Sequence, residues 1–272
     1  MAYTKTQRSD RSVDFLFRSK IYAHLLGHLT LTKEHEHDLV ARGMTAEEVV
    51  QGGFKSLTGP FDTQNTAAQI VKDIGEDRLV DVPGFVQKGR DYWTLNVTQG
   101  LVIPITDMQG NVRALQVRTG GKSAKYVTVT GGPGGNVGTQ LHVPAKSVRG
   151  LLDGYDLLVT EGPIKAQIAA GRGYPASVGL MGVDASPSQL LRLVDSYQPA
   201  HILLAFDMDR LEKEGVLSSM YRLADKLLAA GQVVQIAEWD PKFNGIDDYL
   251  VYSKDRSVTI RQYRIRGEVL GR

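Results

Sequence analysis

After Gly150 the chain alternates short apolar runs with helical stripes, and each run stops at a glycine or an acid. Asp156–Thr160, Ala176–Val178, Ile202–Phe206 and Val233–Ala237 read as strands. Between them, Pro163 opens one helix, Ser186-Pro187 caps and opens a second, and a third carries Leu217, Met220, Tyr221, Ala224, Leu227 and Leu228 as a single stripe before Gly231 stops it. Strand–helix alternation with continuous apolar strands predicts an α/β fold, a mainly parallel sheet with helices on both faces. Val233–Ala237 is expected to be the last strand.

The residues before Gly150 read differently. Residues 1–75 are expected to be mostly helical, with Gly43 as a left-handed stop, Thr45 and Glu48 as a capping box and Asp62 as a further N-cap. From Tyr92 onward alternation favours strands. Leu101–Ile105 and Val112–Val117 flank Asp107-Met108-Gln109-Gly110 as a hairpin, and Lys125–Val129 adds a strand. Gly131–Asn136 lacks the Gly-Lys-Ser/Thr ending of a P-loop and is expected to be a mobile connection. These features divide the chain into a smaller N-terminal α+β domain (1–150), an α/β domain (151–255) and a basic C-terminal tail (256–272).

The apolar runs deliver acids to one sheet edge. Glu161 ends the first run, Asp207 and Asp209 follow the third, and Asp247-Asp248 come after the last. Carboxylates gathered at the ends of parallel strands repel one another and are offset by divalent metal, here Mg²⁺ or Mn²⁺, in phosphoryl-transfer sites. Asp207 and Asp209 are two apart, so an extended backbone aims both the same way. Charge is distributed to match. Residues 108–152 contain no acid but do contain Arg113, Arg118, Lys122, Lys125, Lys146 and Arg149. Residues 153–253 hold fourteen acids against eight bases, a local charge of −6, and the last stretch is basic again. An acidic segment flanked by basic ones suits a polyanion held beside a metal.

Several functions are excluded or unsupported. With no cysteine there is no disulfide, Cys-ligated zinc or thiol nucleophile. No apolar run approaches the ~20 residues of a membrane span, and the opening residues are polar, so a soluble cytoplasmic protein is expected. His35 and His37 sit on opposite sides of a helix. His24 and His28 have the spacing of a helical metal pair, but no third ligand accompanies them, and all four are expected on solvated faces. His201, at the start of a strand, is expected to be structural.

Glu161-Gly162 after an apolar strand, then Asp207-Met208-Asp209 after another, resembles the toprim domain of DnaG-type primases, topoisomerases and OLD-family nucleases. The resemblance spans roughly residues 153–253. It implies a toprim-type sheet, Glu161 as general acid/base and Asp207 and Asp209 as Mg²⁺ ligands. Gly245-Ile246-Asp247-Asp248-Tyr249-Leu250 resembles the acidic segment closing the primase unit, and either aspartate could face the metal. Gly179–Asp184 stands where primases have a glycine-containing turn. Lys165 departs from the acid of replicative primases, and Lys165-Ala166 is similar to phage and plasmid relatives. Upstream, Leu101–Arg118 with Lys125-Tyr126 resembles the primase core segment, which implies phosphate contacts for Arg118 and Lys125. Tyr126 itself is expected to pack within its strand. Arg113, Lys122 and Lys165 join Arg118 and Lys125 as residues expected to meet nucleic acid or nucleotide.

The resemblance thus implies primer synthesis in DNA replication, of phage or other mobile-element type, on single-stranded DNA or another nucleic acid. Nucleotides would be the substrates, and replication proteins acting in trans would select the template. A metal-dependent nuclease using the same acids, and a non-catalytic nucleic-acid-binding accessory, remain open beside it. An OLD-type nuclease is disfavoured by the lack of a Walker A motif.

Overall fold

The structure, a computed structural model, describes residues 15–89, 92–97, 99–120, 125–182, 187–212, 214–255, 257–264 and the backbone of 268–271. In chain order the elements are α1 (Phe15–Gly27), α2 (Lys33–Ala41), α3 (Ala46–Gln51), β1 (Lys55–Thr58), α4 (Pro60–Ile74), α5 (Glu76–Leu79), β2 (Phe85–Lys88), β3 (Tyr92–Leu95), β4 (Gln99–Thr106), β5 (Val112–Arg118) and β6 (Tyr126–Thr128). They continue with β7 (Leu141–His142), α6 (Ser147–Leu152), β8 (Leu157–Glu161), α7 (Pro163–Ala170), β9 (Ser177–Leu180), α8 (Pro187–Tyr197), β10 (Ile202–Ala205), a 3₁₀ turn (Met208–Leu211), α9 (Glu214–Ala229), β11 (Val234–Glu238), α10 (Ile246–Tyr252), β12 (Thr259–Arg264) and β13 (Glu268–Gly271). None of the described helices is long and apolar enough to cross a membrane.

Two compact units emerge, and they interleave in sequence. One comprises residues 1–30, 55–102 and 111–137; the other comprises 31–54, 103–110 and 138–272.

In the first unit α1 lies against β5 and α4, and α4 covers β3. The four-stranded sheet runs β1-β4-β5-β6, with β2-β3 as a separate hairpin. Tyr22, Leu25, Ile70, Leu79 and Phe85 are buried, and the Tyr22 hydroxyl donates to the carbonyl of Pro83 at 2.9 Å. α4 begins two residues before Asp62, on Pro60, and Asp62 accepts instead from the backbone N–H of Thr58 at 3.0 Å. Proline at a first helical position forfeits an N–H that has no intrahelical partner anyway. The glycine loop after β6 is packed rather than loose. Gly131 N–H donates to Gly135 at 2.6 Å, and a Cβ on Gly132 would lie 2.1 Å from the carbonyl of Phe85. β3 begins at Tyr92, where strands were expected, whereas β1 and β2 were not foreseen; each is only four residues long and too brief to show a period.

The second unit is built on a seven-stranded sheet in the order β13-β12-β11-β10-β8-β9-β7. β11, β10, β8 and β9 are mutually parallel, whereas β7, β12 and β13 add to the two edges antiparallel. The sheet is therefore mixed, parallel at its centre. β11 is not its last strand: β12 lies within the segment expected to be a tail. The central strands are buried at nearly every residue because both faces are covered. Leu157, Val159, Ile202 and Leu204 pack with Leu190 of α8 and Met220 and Leu227 of α9. Leu158, Leu203 and Ala205 face the other way, toward Ala169 of α7 and Tyr249 and Leu250 of α10. Burying each such side chain contributes about 1.5–3 kcal/mol, so a one-residue register slip would forfeit both faces together.

Local signals hold the ends. Arg42 and Gly43 (φ +95°) close α2, and the Thr45/Glu48 capping box opens α3. Glu48 is buried and also pairs with Lys146 at 3.0 Å and Arg172 at 3.3 Å. Burial alone would raise its carboxyl, yet the Thr45 N–H and the two cations hold it below the ordinary range. Gly231 (φ +81°) ends α9 as expected. Ser186, expected to cap α8, lies outside the described residues.

His142 of β7 is buried, and its Nδ1 accepts from the Thr106 N–H at 3.2 Å. Burial pushes the imidazole down to about 4. A depressed imidazole keeps its stabilisation above the unfolded value of ~6.5 and loses it as pH falls toward about 4, at up to about 1.4 kcal/mol per pH unit. His142→Asn, which retains an acceptor near the Nδ1 position, should flatten the denaturation midpoint across that window. Urea unfolding at pH 4.5 and 7 measures the difference.

Candidate functional site

The strand order reverses beside β8: the chain goes from β8 to β9 on one side, then crosses to β10 on the other. Between β8 and β10 the connecting helices leave toward opposite faces, which opens a crevice beyond the carboxyl ends of the strands. The register fixes what lines it. Thr160 is paired with Ala205, so Glu161 is one step past the pair and Asp207 two steps past it on the neighbouring strand.

After Glu161 the chain turns at Gly162 (φ +86°), whose N–H donates to the Leu180 carbonyl at 2.7 Å. A Cβ on Gly179 would stand 2.6 Å from the Gly162 carbonyl, so this turn requires glycine on the adjacent strand as well. Asp207 leaves β10 in an extended conformation and Met208–Leu211 form the 3₁₀ turn. Asn244 braces that turn. Its carbonyl accepts from Met208 N–H at 2.8 Å, its Oδ1 from Asp209 N–H at 2.9 Å, and its Nδ2 donates to Asp207 Oδ2 at 3.2 Å. Beneath the turn, buried Arg210 donates to the carbonyls of Phe206 at 2.5 Å, Asp207 at 3.2 Å and Ala237 at 2.9 Å, binding the ends of β10 and β11 together.

Two cations sit among the acids. Lys165, on the first helical turns of α7, pairs with Asp207 Oδ1, both side chains being largely buried. Arg42 Nη2 donates to Asp247 Oδ2 at 2.7 Å, with the Asp247 side chain only 1% exposed. A Cβ on Gly245 would meet Asp247 Oδ1 at 2.2 Å and Lys165 Cε at 3.1 Å, so this glycine lets α10 bring Asp247 in. Burial pushes Glu161 up to about 7, the charges of Asp207 and Asp209 adding to the rise while Lys165 opposes it. For Lys165 burial works against the charged form, but Asp207 and Asp247 outweigh it and the ammonium is raised. Burial, then Asp247, raises Asp248.

The expected acids thus share one electrostatic neighbourhood, but they do not close as a cage. Among the described residues, no three of Glu161, Asp207, Asp209, Asp247 and Asp248 bring ligand atoms within 4.8 Å of one another. The Lys165 ammonium lies among Glu161, Asp207 and Asp247. Buried Glu161 Oε1 and Asp247 Oδ1 nevertheless have no hydrogen-bond partner, an arrangement that favours a cation. Mg²⁺ commonly takes one or two carboxylates and keeps several waters, so the donor set fits such an ion without a cage.

Apart from Lys165, the expected basic residues belong to the first unit. Arg118 and Tyr126 are paired across β5 and β6, on one face of the four-stranded sheet, and Lys125 is exposed just before β6. Arg113, five residues earlier, falls on the opposite face and stacks over Phe15 at 4.2 Å. Lys122 lies outside the described residues. Asn244, Arg42 and Arg210 were not foreseen. An Asn-Gly turn beside two aspartates was a usable signal for Asn244; nothing in sequence joins Arg42 to Asp247 across 205 positions.

The family described as "Domain of unknown function (DUF3854)" matches residues 153–257. No curated protein sequence matches the chain. Among solved structures, the Aquifex aeolicus primase (zinc-binding and RNA polymerase domains) superposes with a TM-score of 0.68 at 17% identity, over 86% of this chain and 57% of that one. A DNA primase domain from Pseudomonas aeruginosa gives 0.66 at 19% identity, over 88% and 75%. A DnaG primase catalytic domain bound to single-stranded DNA gives 0.66 at 17% identity, over 88% and 75%. The chain therefore has the fold of DnaG primase catalytic cores, and spans little more than half of the Aquifex chain.

Two outcomes test this geometry. Arg42→Ala should lower stability by about 3 kcal/mol, since it strands a buried carboxylate, and Arg42→Lys should recover part of that in a urea titration. Glu161→Gln should act in the opposite sense. A carboxyl raised to about 7 loses stability as pH climbs from its unfolded value of ~4.5 through 7. The amide variant should exceed the parent on the order of 2 kcal/mol at pH 8 without divalent metal and match it near pH 4.5.

Proposed function

We propose that this chain is the nucleotidyl-transfer core of a primase-like protein of toprim type, building primers on single-stranded DNA in replication. One observation carries the reading: Glu161 and Asp207 occupy the crevice at the strand-order reversal of a fold shared with DnaG primase catalytic cores. Mg²⁺ or Mn²⁺ would be held by Asp207, Asp209 and one of Asp247 and Asp248, supplying charge neutralisation for a triphosphate. Lys165-Ala166 supports the phage or plasmid type.

The chain's own groups then have definable tasks. Glu161, poised near neutrality by burial, accepts the proton of the attacking hydroxyl. Lys165 can exchange Asp207 for a phosphate oxygen, since an ammonium bonds either as a point charge. Asn244 and Arg210 hold the Asp207–Asp209 turn so that neither aspartate reorients when charge arrives. Arg118 and Lys125 grip template or nucleotide phosphates, with Arg113 and Lys122 as further members of that basic set.

The test offers purified protein Mg²⁺ or Mn²⁺, single-stranded template and nucleotides, with labelled strands alone in parallel. Template-dependent oligonucleotides are expected, abolished by EDTA and by Asp209→Ala. Glu161→Gln should lower the rate about 10²–10⁴-fold and remove the rise in rate through pH 7. Strand degradation lost on Glu161→Ala, with no synthesis, would replace this reading by a nuclease. Nucleic-acid binding indifferent to EDTA and to Asp207→Ala, with neither reaction, would replace it by an accessory role.

A further inference from the structure

The residues dismissed for want of a third ligand acquire one in the fold. His24 lies in the last turn of α1, and His28 follows that helix directly, its N–H donating to Leu25 at 3.0 Å. Asp73, in the last turn of α4, is 45 residues further on than His28. His24 Nε2 lies 2.8 Å and His28 Nε2 3.3 Å from the same oxygen, Asp73 Oδ2. These three ligand atoms are mutually within 4.8 Å, and no other group of three His, Asp or Glu among the described residues is so arranged.

We propose that His24, His28 and Asp73 form a zinc site that pins the end of α1 to the end of α4. The distances fit that ion. Tetrahedral zinc with ligands at ~2.0–2.1 Å places those ligand atoms ~3.3–3.4 Å apart. One observed separation is already 3.3 Å, and the other needs an opening of about 0.5 Å. The imidazoles meet edge to face, 86° apart with centroids at 4.9 Å, so their Nε2 atoms converge on a point instead of stacking past each other. Residues four apart on a helix present their side chains on one face, which brings the two histidines together.

The carboxylate is oriented for the task. Gln69, one turn earlier on α4, donates Nε2–H to Asp73 Oδ1 at 2.8 Å. That bond leaves Oδ2 for the imidazoles, the arrangement by which outer partners fix a metal-binding carboxylate. Zinc would replace two N–H···O contacts sharing one oxygen with three metal bonds, leaving the fourth position to solvent. All three side chains are partly exposed, so an ion reaches them without unfolding. The site contains none of the acids assigned to nucleotidyl transfer and stands or falls separately from that reaction.

The experiment is calorimetric titration of ZnCl₂ into untagged full chain stripped with EDTA and returned to excess Mg²⁺, which competes with zinc for the acidic crevice. Wild-type protein should bind a single equivalent, and its thermal midpoint should rise with added zinc. His24→Ala, His28→Ala and Asp73→Asn should lose both effects while keeping the native circular dichroism spectrum. Gln69→Ala should weaken binding about 10-fold, and His35→Ala should leave it unchanged. Co²⁺ in place of Zn²⁺ should give a tetrahedral absorption band in wild type that Asp73→Asn lacks. No saturable binding, meaning a hydrogen-bonded His–Asp cluster only, overturns the proposal. So does binding that persists in both His24→Ala and Asp73→Asn.

Discussion

Carboxylates crowded at one end of a parallel sheet repel each other, and the second unit is organised around offsetting that repulsion. Lys165 and Arg42 do so from within the protein, one on Asp207 and the other on Asp247. Their two modes differ. Arg42 holds an aspartate that is almost wholly buried, so its removal would leave a charge with no solvent to turn to. Lys165 is a compact ammonium on a flexible stem among three acids, which makes it an exchangeable counterion. Glu161 receives the least compensation and is left near neutrality in its proton affinity.

The placement of these groups depends on backbone approach more than on side-chain contact. Pairing of Thr160 with Ala205 and the glycines at 162 and 179 bring the ends of β8, β9 and β10 into line. Arg210 then fills the role water would play at exposed strand ends, taking carbonyls from two strands at once. A buried guanidinium is costly unless its donors are satisfied, and here several carbonyls accept from it. Burial accordingly lowers its proton affinity below the usual arginine range, with Glu238 opposing.

Much of the second unit was legible because its signals are local and long. β8, β10 and β11 each contain a mainly apolar run, α9 carries a stripe over four turns, and the caps at Gly43, Thr45 and Gly231 are one-residue signals. The acids could be read because each follows such a strand. What failed to show were partnerships across long sequence separations: Arg42 with Asp247, and Asp73 with His24 and His28. Sequence could suggest that five acids approach one another, but not that a lysine would stand between them. The strand β12, between β11 and β13, was hidden by its polar composition, since Thr259–Arg264 buries only Tyr263.

The same physical device recurs where the fold brings distant segments together. Glu48 joins its own capping box to Lys146 near α6 and Arg172 beyond α7, and Arg172 also donates to the Gly43 carbonyl. A buried acid with a fixed set of donors specifies one arrangement, because any other leaves it unsatisfied. Arg172 and Arg42 thus hold the segment containing α2 and α3 at two points, one beside α7 and one on α10. α7 carries Lys165 and α10 carries Asp247 and Asp248, so the helices that deliver the site's cation and its last acids are the ones being held. The segment containing α2 and α3, which contributes no acid to the crevice, thus anchors the helices that carry Lys165, Asp247 and Asp248.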